Sequence, residues 1–406
     1  MAFPCLAAPA AIAATITGWN VDNVVTDAST PTGTSVIYDQ NVTAGVPTGA
    51  QSSGTVVFTP PEAISPGIKV ENVPGGYPDT GAGATLTLDG CLMTSNPGAT
   101  CTSPFQSGKR IKQKVTGTGS TDLVFDIDAS DIDMAFYQVF SRLINDSDQA
   151  LAGVTVELGF GVGDDFVAAT GDQLTFSTEF TAQPNNSGLS STSQYPFGLF
   201  GDADDSPNFL LDGFFASDRT GFDLDQTATT ITTGAYYGEY ATIFGDWRPL
   251  SDVEEGLFWD FDDDAETDNL LMAWQIGDDL CELRRTVGET CAASGSSDPF
   301  AAPNCTFGVT LDDYITGSFD EIVTFLTDAA GSDYFSIFGS GEIEDLANLN
   351  LNYAIALGDL TGHSSFTLRT TAMPAVNVVP LPAGAPLMLG GLAALAVLRR
   401  RKTKVS

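Results

Sequence analysis

Short runs of β-branched and aromatic residues, broken by Gly, Pro, Asn and Asp, set the pattern of the first ninety residues. They are Asn23-Val-Val-Thr26, Thr34-Ser-Val-Ile-Tyr38, Gly54-Thr-Val-Val-Phe-Thr59 and Ala84-Thr-Leu-Thr-Leu88. Runs of this length between turn-forming residues predict an all-β sandwich. Alternation with period two is clearest in Thr121–Asp128, Phe136–Ile144 and Ala152–Phe160. Between the last two lies Asn145-Asp-Ser-Asp-Gln149, whose short side chains can bond their own backbone, so a hairpin is expected there. Asn350–Leu357 and Ser364–Thr370 alternate as a closing pair of strands. One helix is expected at Phe319–Asp328, where Phe319, Ile322, Val323 and Leu326 share a face and Ser318 can cap the first turn. The predicted fold is mainly β: an antiparallel, jelly-roll-like β-sandwich over residues 15–372, with long loops and one or two short helices.

The pattern changes at the C-terminus. After a linker at 373–378, the 18 residues from Leu381 to Leu398 carry no charge. As a helix they would span about 27 Å, close to a bilayer core of about 30 Å. Arg399, Arg400, Arg401, Lys402 and Lys404 follow, five of the chain's 16 basic residues. The positive-inside rule then places the tail in the cytoplasm and everything before Leu381 outside. Residues 1–14 read as the end of a secretory signal peptide with Ala11-Ile12-Ala13 as an A-x-A cleavage site. The first basic residue is Lys69, so no basic n-region precedes it and the true start is expected upstream.

The motif Val379-Pro380-Leu381-Pro382-Ala383, an apolar helix with paired glycines and a terminal arginine cluster occur in that order over 379–404. Together they resemble the VPLPA-CTERM variant of the PEP-CTERM sorting signals. The resemblance implies that an exosortase-type membrane protease recognises Val379–Ala383 and cuts near it. The chain would then be anchored transiently in the inner membrane before reaching the cell surface or extracellular matrix. A plain single-span anchor would carry the same basic residues but gives no reason for the Pro-Leu-Pro step.

Charge narrows the partners. The formal net charge is −36, and without the five basic residues of the tail it is −41 for residues 1–398. Nucleic acid is therefore not an expected partner. Low lysine and abundant aspartate suit a salty medium, where screening over about 8 Å weakens self-repulsion. An exported chain can keep disulfides. Among Cys5, Cys91, Cys101, Cys281, Cys291 and Cys305, a Cys91–Cys101 bridge is expected because it closes a short loop. Cys281 can pair with Cys291, or Cys291 with Cys305, and spacing does not choose between them.

Candidate chemistry is sparse. Asp260, Asp262, Asp264 and Asp268 stand at relative positions 1, 3, 5 and 9 of a calcium loop, but position 6 is Ala265 and position 12 is Leu271. Asp202–Asp205 with Asn208 is a poorer second candidate. A solvated acidic loop explains both equally. The aromatic stretches Tyr195–Gly201, Phe209–Phe215, Tyr236–Tyr240, Ile243–Trp247 and Leu257–Phe261 fit a saccharide platform or core packing under long loops. Lys109-Arg-Ile-Lys-Gln-Lys114 reads as an exposed strand that offsets nearby acids or grips an anionic polymer. Gly159, Gly161 and Gly163 mimic a dinucleotide fingerprint but close a strand with no helix pattern after it, so a bulge or close packing is expected. There is no G-x-S-x-G, H-E-x-x-H or P-loop, and the single histidine, His363, lies between a turn and a strand.

Gly18-Trp-Asn-Val-Asp22, Phe58-Thr-Pro-Pro-Glu62, Ser65-Pro-Gly-Ile-Lys69, Leu92–Cys101 and Ser107-Gly-Lys-Arg-Ile111 give the segment 18–372 a resemblance to the choice-of-anchor F family. That family consists of secreted bacterial proteins of unassigned activity with interchangeable C-terminal anchors. The resemblance implies no catalytic residue. Two functions are expected: a non-enzymatic structural or adhesive protein of the surface or matrix, possible calcium stabilisation included, or a secreted hydrolase or binder of polysaccharide with an aromatic cleft over 195–261. Aromatics absorbed into a closed core favour the first. Two carboxylates about 5–10 Å apart beside Trp247 or Trp259 favour the second.

Overall fold

The computed structural model describes residues 13–28, 32–73, 88–103, 107–131, 135–177, 223–234, 247–259, 270–277, 280–283, 291–292, 304–305, 315–330 and 338–375. In chain order the first strands are β1 (Ala13–Asn20), β2 (Val24–Asp27), β3 (Gly33–Ile37), β4 (Gly54–Phe58), β5 (Ile68–Asn72), β6 (Gly90–Thr94), β7 (Ile111–Val115) and β8 (Ser120–Asp131). Then come β9 (Ala135–Asn145), β10 (Leu151–Phe160), β11 (Val167–Ala168), β12 (Leu174–Phe176), β13 (Asp223–Gln226), β14 (Thr230–Gly234), β15 (Glu255–Trp259) and β16 (Leu270–Gly277). The last are β17 (Leu280–Leu283), β18 (Cys291–Ala292), β19 (Asn304–Cys305), β20 (Ile315–Gly317), the helix α1 (Phe319–Ala330), β21 (Phe338–Glu342), β22 (Asn348–Leu357) and β23 (Ser365–Pro374). The mainly β class holds, with one α-helix among the described residues.

Two sheets share one core. The first runs β1-β8-β23-β10-β14-β13, and the second β12-β22-β9-β7-β4-β3-β2 with β5 and β6 attached. Successive side chains of a strand point to opposite faces, so each alternating run supplies one buried row. In β7, Ile111, Gln113 and Val115 are buried while Lys112 and Lys114 lie on the other face. Phe125 of β8 and Phe366 of β23 are paired in register, with ring centroids 5.4 Å apart. They meet Val154, Val156 and Leu158 of β10 and Leu349, Leu351 and Ile355 of β22 in the same buried cluster. Burying each such side chain contributes about 1.5–3 kcal/mol.

Both edges are tied across the core, which gives a half-barrel. At one, the Phe176 amide and the Thr175 hydroxyl of β12 donate to Ala228 O, in the β13–β14 turn, at 2.7 and 2.9 Å. At the other, Ile16 of β1 donates its amide to Tyr137 Oη at 3.2 Å, and Tyr137 Oη donates to Asn72 Oδ1 at 2.6 Å. Asn72 Nδ2 in turn donates to Ile16 O at 3.0 Å. Side chains thus replace the strand that would otherwise pair with this edge.

Four expectations change. Residues 145–149 do not make a hairpin, because β9 pairs with β22, β7 and β6 whereas β10 pairs with β23, β14 and β11. The turn carries the chain from one sheet to the other. Likewise β22 and β23 belong to different sheets and do not close the fold as a pair. The second sheet is mixed rather than antiparallel, since β6 and β7 both run parallel to β9 along one of its edges. The basic segment is also not an exposed strand: Lys109 and Arg110 are buried, and β7 is flanked by β4 and β9. Of the run 84–88, residues 84–87 lie outside the described residues.

A third sheet has the order β20-β17-β16-β15-β21. The helix α1 lays Phe319, Ile322 and Val323 against Leu257, Ala273 and Cys281. Its start is a reciprocal capping box, in which the Glu321 amide donates to Ser318 Oγ at 3.3 Å and the Ser318 amide to Glu321 Oε2 at 2.9 Å. The chain divides into two units, Met1–Pro374 and Ala375–Ser406. Among the described residues no helix is long and apolar enough to cross a membrane, and Leu381–Leu398 lies outside them.

Candidate functional site

The densest unusual chemistry sits where β5, β6 and the segment 95–111 meet on the outer side of β9. Glu71 and Cys91 face each other across β5 and β6. Cys91 is bonded to Cys101, their Cα atoms 5.8 Å apart, as the spacing predicted. Both cysteines are buried with Met93 and Ala99 against Phe140 of β9, so β9 is covered on both faces. The Cys101 amide donates to Glu71 Oε2 at 2.5 Å.

Two lysines hold the same loop. Lys69 Nζ donates to Ala99 O at 2.5 Å, and Lys109 Nζ donates to Cys101 O and Ser103 O at 3.1 and 2.6 Å. Lys109 Nζ also lies 4.4 Å from the centroid of the Phe140 ring, within cation–π range. Burial lowers the Lys109 amine to about 8, helped by neighbouring Arg110 and opposed by Glu71. Such an amine could act as a base if substrate reached it, but this one is 4% exposed and aimed at two backbone carbonyls. Its work is to hold the loop.

The ligand-type atoms of Glu71, Cys91 and Cys101 lie within 4.8 Å of one another. Both sulfurs are committed to the disulfide and Glu71 Oε2 to the Cys101 amide, so the trio does not fit a metal ion in this oxidised state. Several stretches that carry the family resemblance converge here. Ser95 donates its amide to Gly67 O at 3.1 Å, Ile64 donates to Ser95 O at 3.3 Å, and Asn96 Nδ2 donates to Gly108 O at 3.3 Å.

A second polar node joins β8, β23 and the segment after β10. Arg369 Nε and Nη2 donate to Asp122 Oδ1 and Oδ2 at 2.6 and 2.7 Å, and Nη2 also donates to Gly163 O at 2.7 Å. The Gly163 amide returns a bond to Asp122 Oδ2 at 2.7 Å, and the Arg369 guanidinium lies 3.9 Å from the centroid of the Phe166 ring. The glycine trio therefore serves packing: a Cβ on Gly159 would sit 2.4 Å from the Phe166 ring, and a short 3-10 turn follows instead of an α-helix. The sequence pointed to the Cys91–Cys101 bridge but not to the groups around it, and it gave no sign of the second node. Only the alternation that puts Asp122 and Arg369 on strands was visible, and their positions are 247 residues apart.

Trp247 is fully buried. It exchanges backbone bonds with Leu151 at 2.9 Å in both directions, accepts from Asn145 Nδ2 at 2.9 Å, and donates Nε1–H to Ala347 O at 2.6 Å. These bonds lock the inter-sheet corner. Nearby, burial raises the Glu254 carboxyl, while Arg248, 2.8 Å away, pulls it down. His363 stacks on Phe160 with centroids 3.7 Å apart, and its Nε2 is 3.4 Å from Gln173 Nε2.

Of the other expected site residues, Cys281 of β17 is buried and stands opposite Gln275 and Gly317 in the backbone register. Cys291 stands opposite Cys305. Asp260, Asp262, Asp264 and Asp268, Asp202–Asp205, Val379–Ala383 and the Arg399–Lys404 cluster lie outside the described residues, as do the aromatic stretches between 195 and 246. No family model, curated protein or solved structure matches the chain.

Proposed function

We propose that the chain is an exported, non-enzymatic structural or adhesive protein of the cell surface or extracellular matrix, delivered by an exosortase-type protease acting at Val379–Ala383. Its body, 15–372, is a jelly-roll-like sandwich of the choice-of-anchor kind, with extracellular polysaccharide as its partner and calcium held by Asp260, Asp262, Asp264 and Asp268. The observation that carries this reading is the corner around the Cys91–Cys101 bridge. There a disulfide, a carboxylate and two lysines, the groups from which a reactive site would be made, are spent on fixing one loop. A bridge of this kind persists in an oxidising compartment. Trp247, one of the tryptophans of the aromatic region, adds support because its polar atoms are bonded within the core.

The test is cell fractionation of the intact chain beside a Pro380→Ala/Pro382→Ala variant. The intact chain is expected in a processed form at the surface, and the variant unprocessed in the membrane. Identical processing of the two would remove the sorting step from the account.

A further inference from the structure

We propose that Cys291 and Cys305 form a second disulfide. The backbone register carries the argument. β18 and β19 pair antiparallel with Cys291 directly opposite Cys305 and Ala292 opposite Asn304. Directly opposed residues of an antiparallel pair have Cα atoms about 4.5–5.5 Å apart. A disulfide needs about 4.4–6.8 Å, and the bridge already present in the chain spans 5.8 Å.

The alternative partner is placed elsewhere. Cys281 lies in β17, whose neighbours β16 and β20 present Gln275 and Gly317 opposite it, and its side chain packs with Leu257, Ala273 and Ile322. Stability supplies an independent reason. Each strand of the β18–β19 pair is two residues long, and isolated two-stranded pairs are marginal in water. The connection Ala293-Ser-Gly-Ser-Ser-Asp-Pro-Phe-Ala-Ala-Pro303 is built mostly of small and polar residues with little apolar surface to bury. A covalent link between the strands removes the loop-closure entropy that so few hydrogen bonds do not offset.

Forming the bond takes two electrons and two protons from the two thiols. The electrons pass by thiol–disulfide exchange to an oxidant that itself carries a disulfide and leaves as a dithiol. The inference rests on the exported reading for that oxidising environment.

The test is peptide mapping of the full chain from the envelope fraction, alkylated without reduction and cut at Lys/Arg and before Asp. Cleavage before Asp298 separates fragment 286–297, holding Cys291, from 298–311, holding Cys305, while Cys281 falls in 279–284. The bridge predicts 286–297 joined to 298–311 and released by reductant, with Cys281 in neither. Cys91 and Cys101 share one fragment and serve as the internal control, unalkylated and two hydrogens lighter when bridged. If the control is bridged but the two fragments run apart, or 279–284 is joined to 286–297, the proposed pairing is overturned and the exported reading stands. If all four cysteines are alkylated, the exported reading is overturned along with the pairing.

Discussion

Arg369 and Asp122 face each other across β23 and β8 in a two-pronged ion pair, both bonds under 3 Å. Asp122 is 2% exposed. The same carboxylate accepts from the Gly163 amide, and its backbone carbonyl accepts from Asn23 Nδ2 at 3.0 Å. One pair thereby ties two strands of the first sheet to the segment after β10 and to the turn before β2. Removing one partner leaves a buried charge without its complement, which costs about 3–5 kcal/mol. Arg369→Ala and Asp122→Ala are each expected to lower unfolding free energy by that order, and the double variant by much less than the sum. Denaturant titration of the four proteins measures the coupling. Arg369→Lys is expected to rescue little, because an ammonium cannot reproduce the fork.

Lys109 gives a pH signature. Its folded-state value of about 8 lies below the unfolded 10.5, so between those values the unfolded chain binds more protons. Stability from this group therefore rises as pH climbs from about 8 to 10.5. The stability of wild type relative to Lys109→Met, read from urea midpoints across that range, is therefore expected to rise with pH. A difference that stays flat between about pH 8 and 10.5 would mean that the amine is not depressed.

Gly163 occupies the left-handed region at φ +57°, and a Cβ there would sit 2.2 Å from Asp39 O. Gly163→Ala is expected to destabilise by about 1–3 kcal/mol. The check is the thermal midpoint beside Gly45→Ala. That site also has positive φ but open space around it, so its loss should be smaller.

Trp247→Phe removes the donor to Ala347 O and leaves a buried carbonyl unpaired, which costs about 1–3 kcal/mol. Binding to matrix polysaccharide is expected to be unchanged in the folded variant, measured by co-sedimentation below its melting temperature. A saccharide cleft built on Trp247 would instead lose binding with its fold intact.

Calcium is expected to raise the thermal midpoint of the chain if Asp260, Asp262, Asp264 and Asp268 hold it, and Asp262→Asn to reduce that rise. An unchanged midpoint with calcium, magnesium or EDTA removes the site.

How much was legible in the sequence follows from what alternation encodes. Period two placed strands at 136–144 and 152–160, and β9 and β10 form there. It did not tell whether consecutive strands pair edge to edge or lie in opposite sheets, since both arrangements bury the same residues. Asn145 shows the difference physically: its Nδ2 donates to Gln149 O, as a tight turn requires, and also to Trp247 O, 102 positions away, which fixes a corner. Local signals fared better. Ser318 and Glu321 specify the helix start within four residues, and Cys91 and Cys101 find each other across a short loop. Lys109 was read as part of an exposed basic strand, and it is buried. The burial of Lys109 depends on Phe140 and the carbonyls of Cys101 and Ser103, partners that only the folded chain brings together.

The most direct test of the exported reading is the intact mass of the mature chain recovered from the cell surface or medium. The account predicts a C-terminus at or near Val379–Ala383, no Arg399–Lys404 tail, and Cys91 and Cys101 joined. A full-length chain soluble in the cytoplasm, with both of those cysteines as thiols, would contradict it.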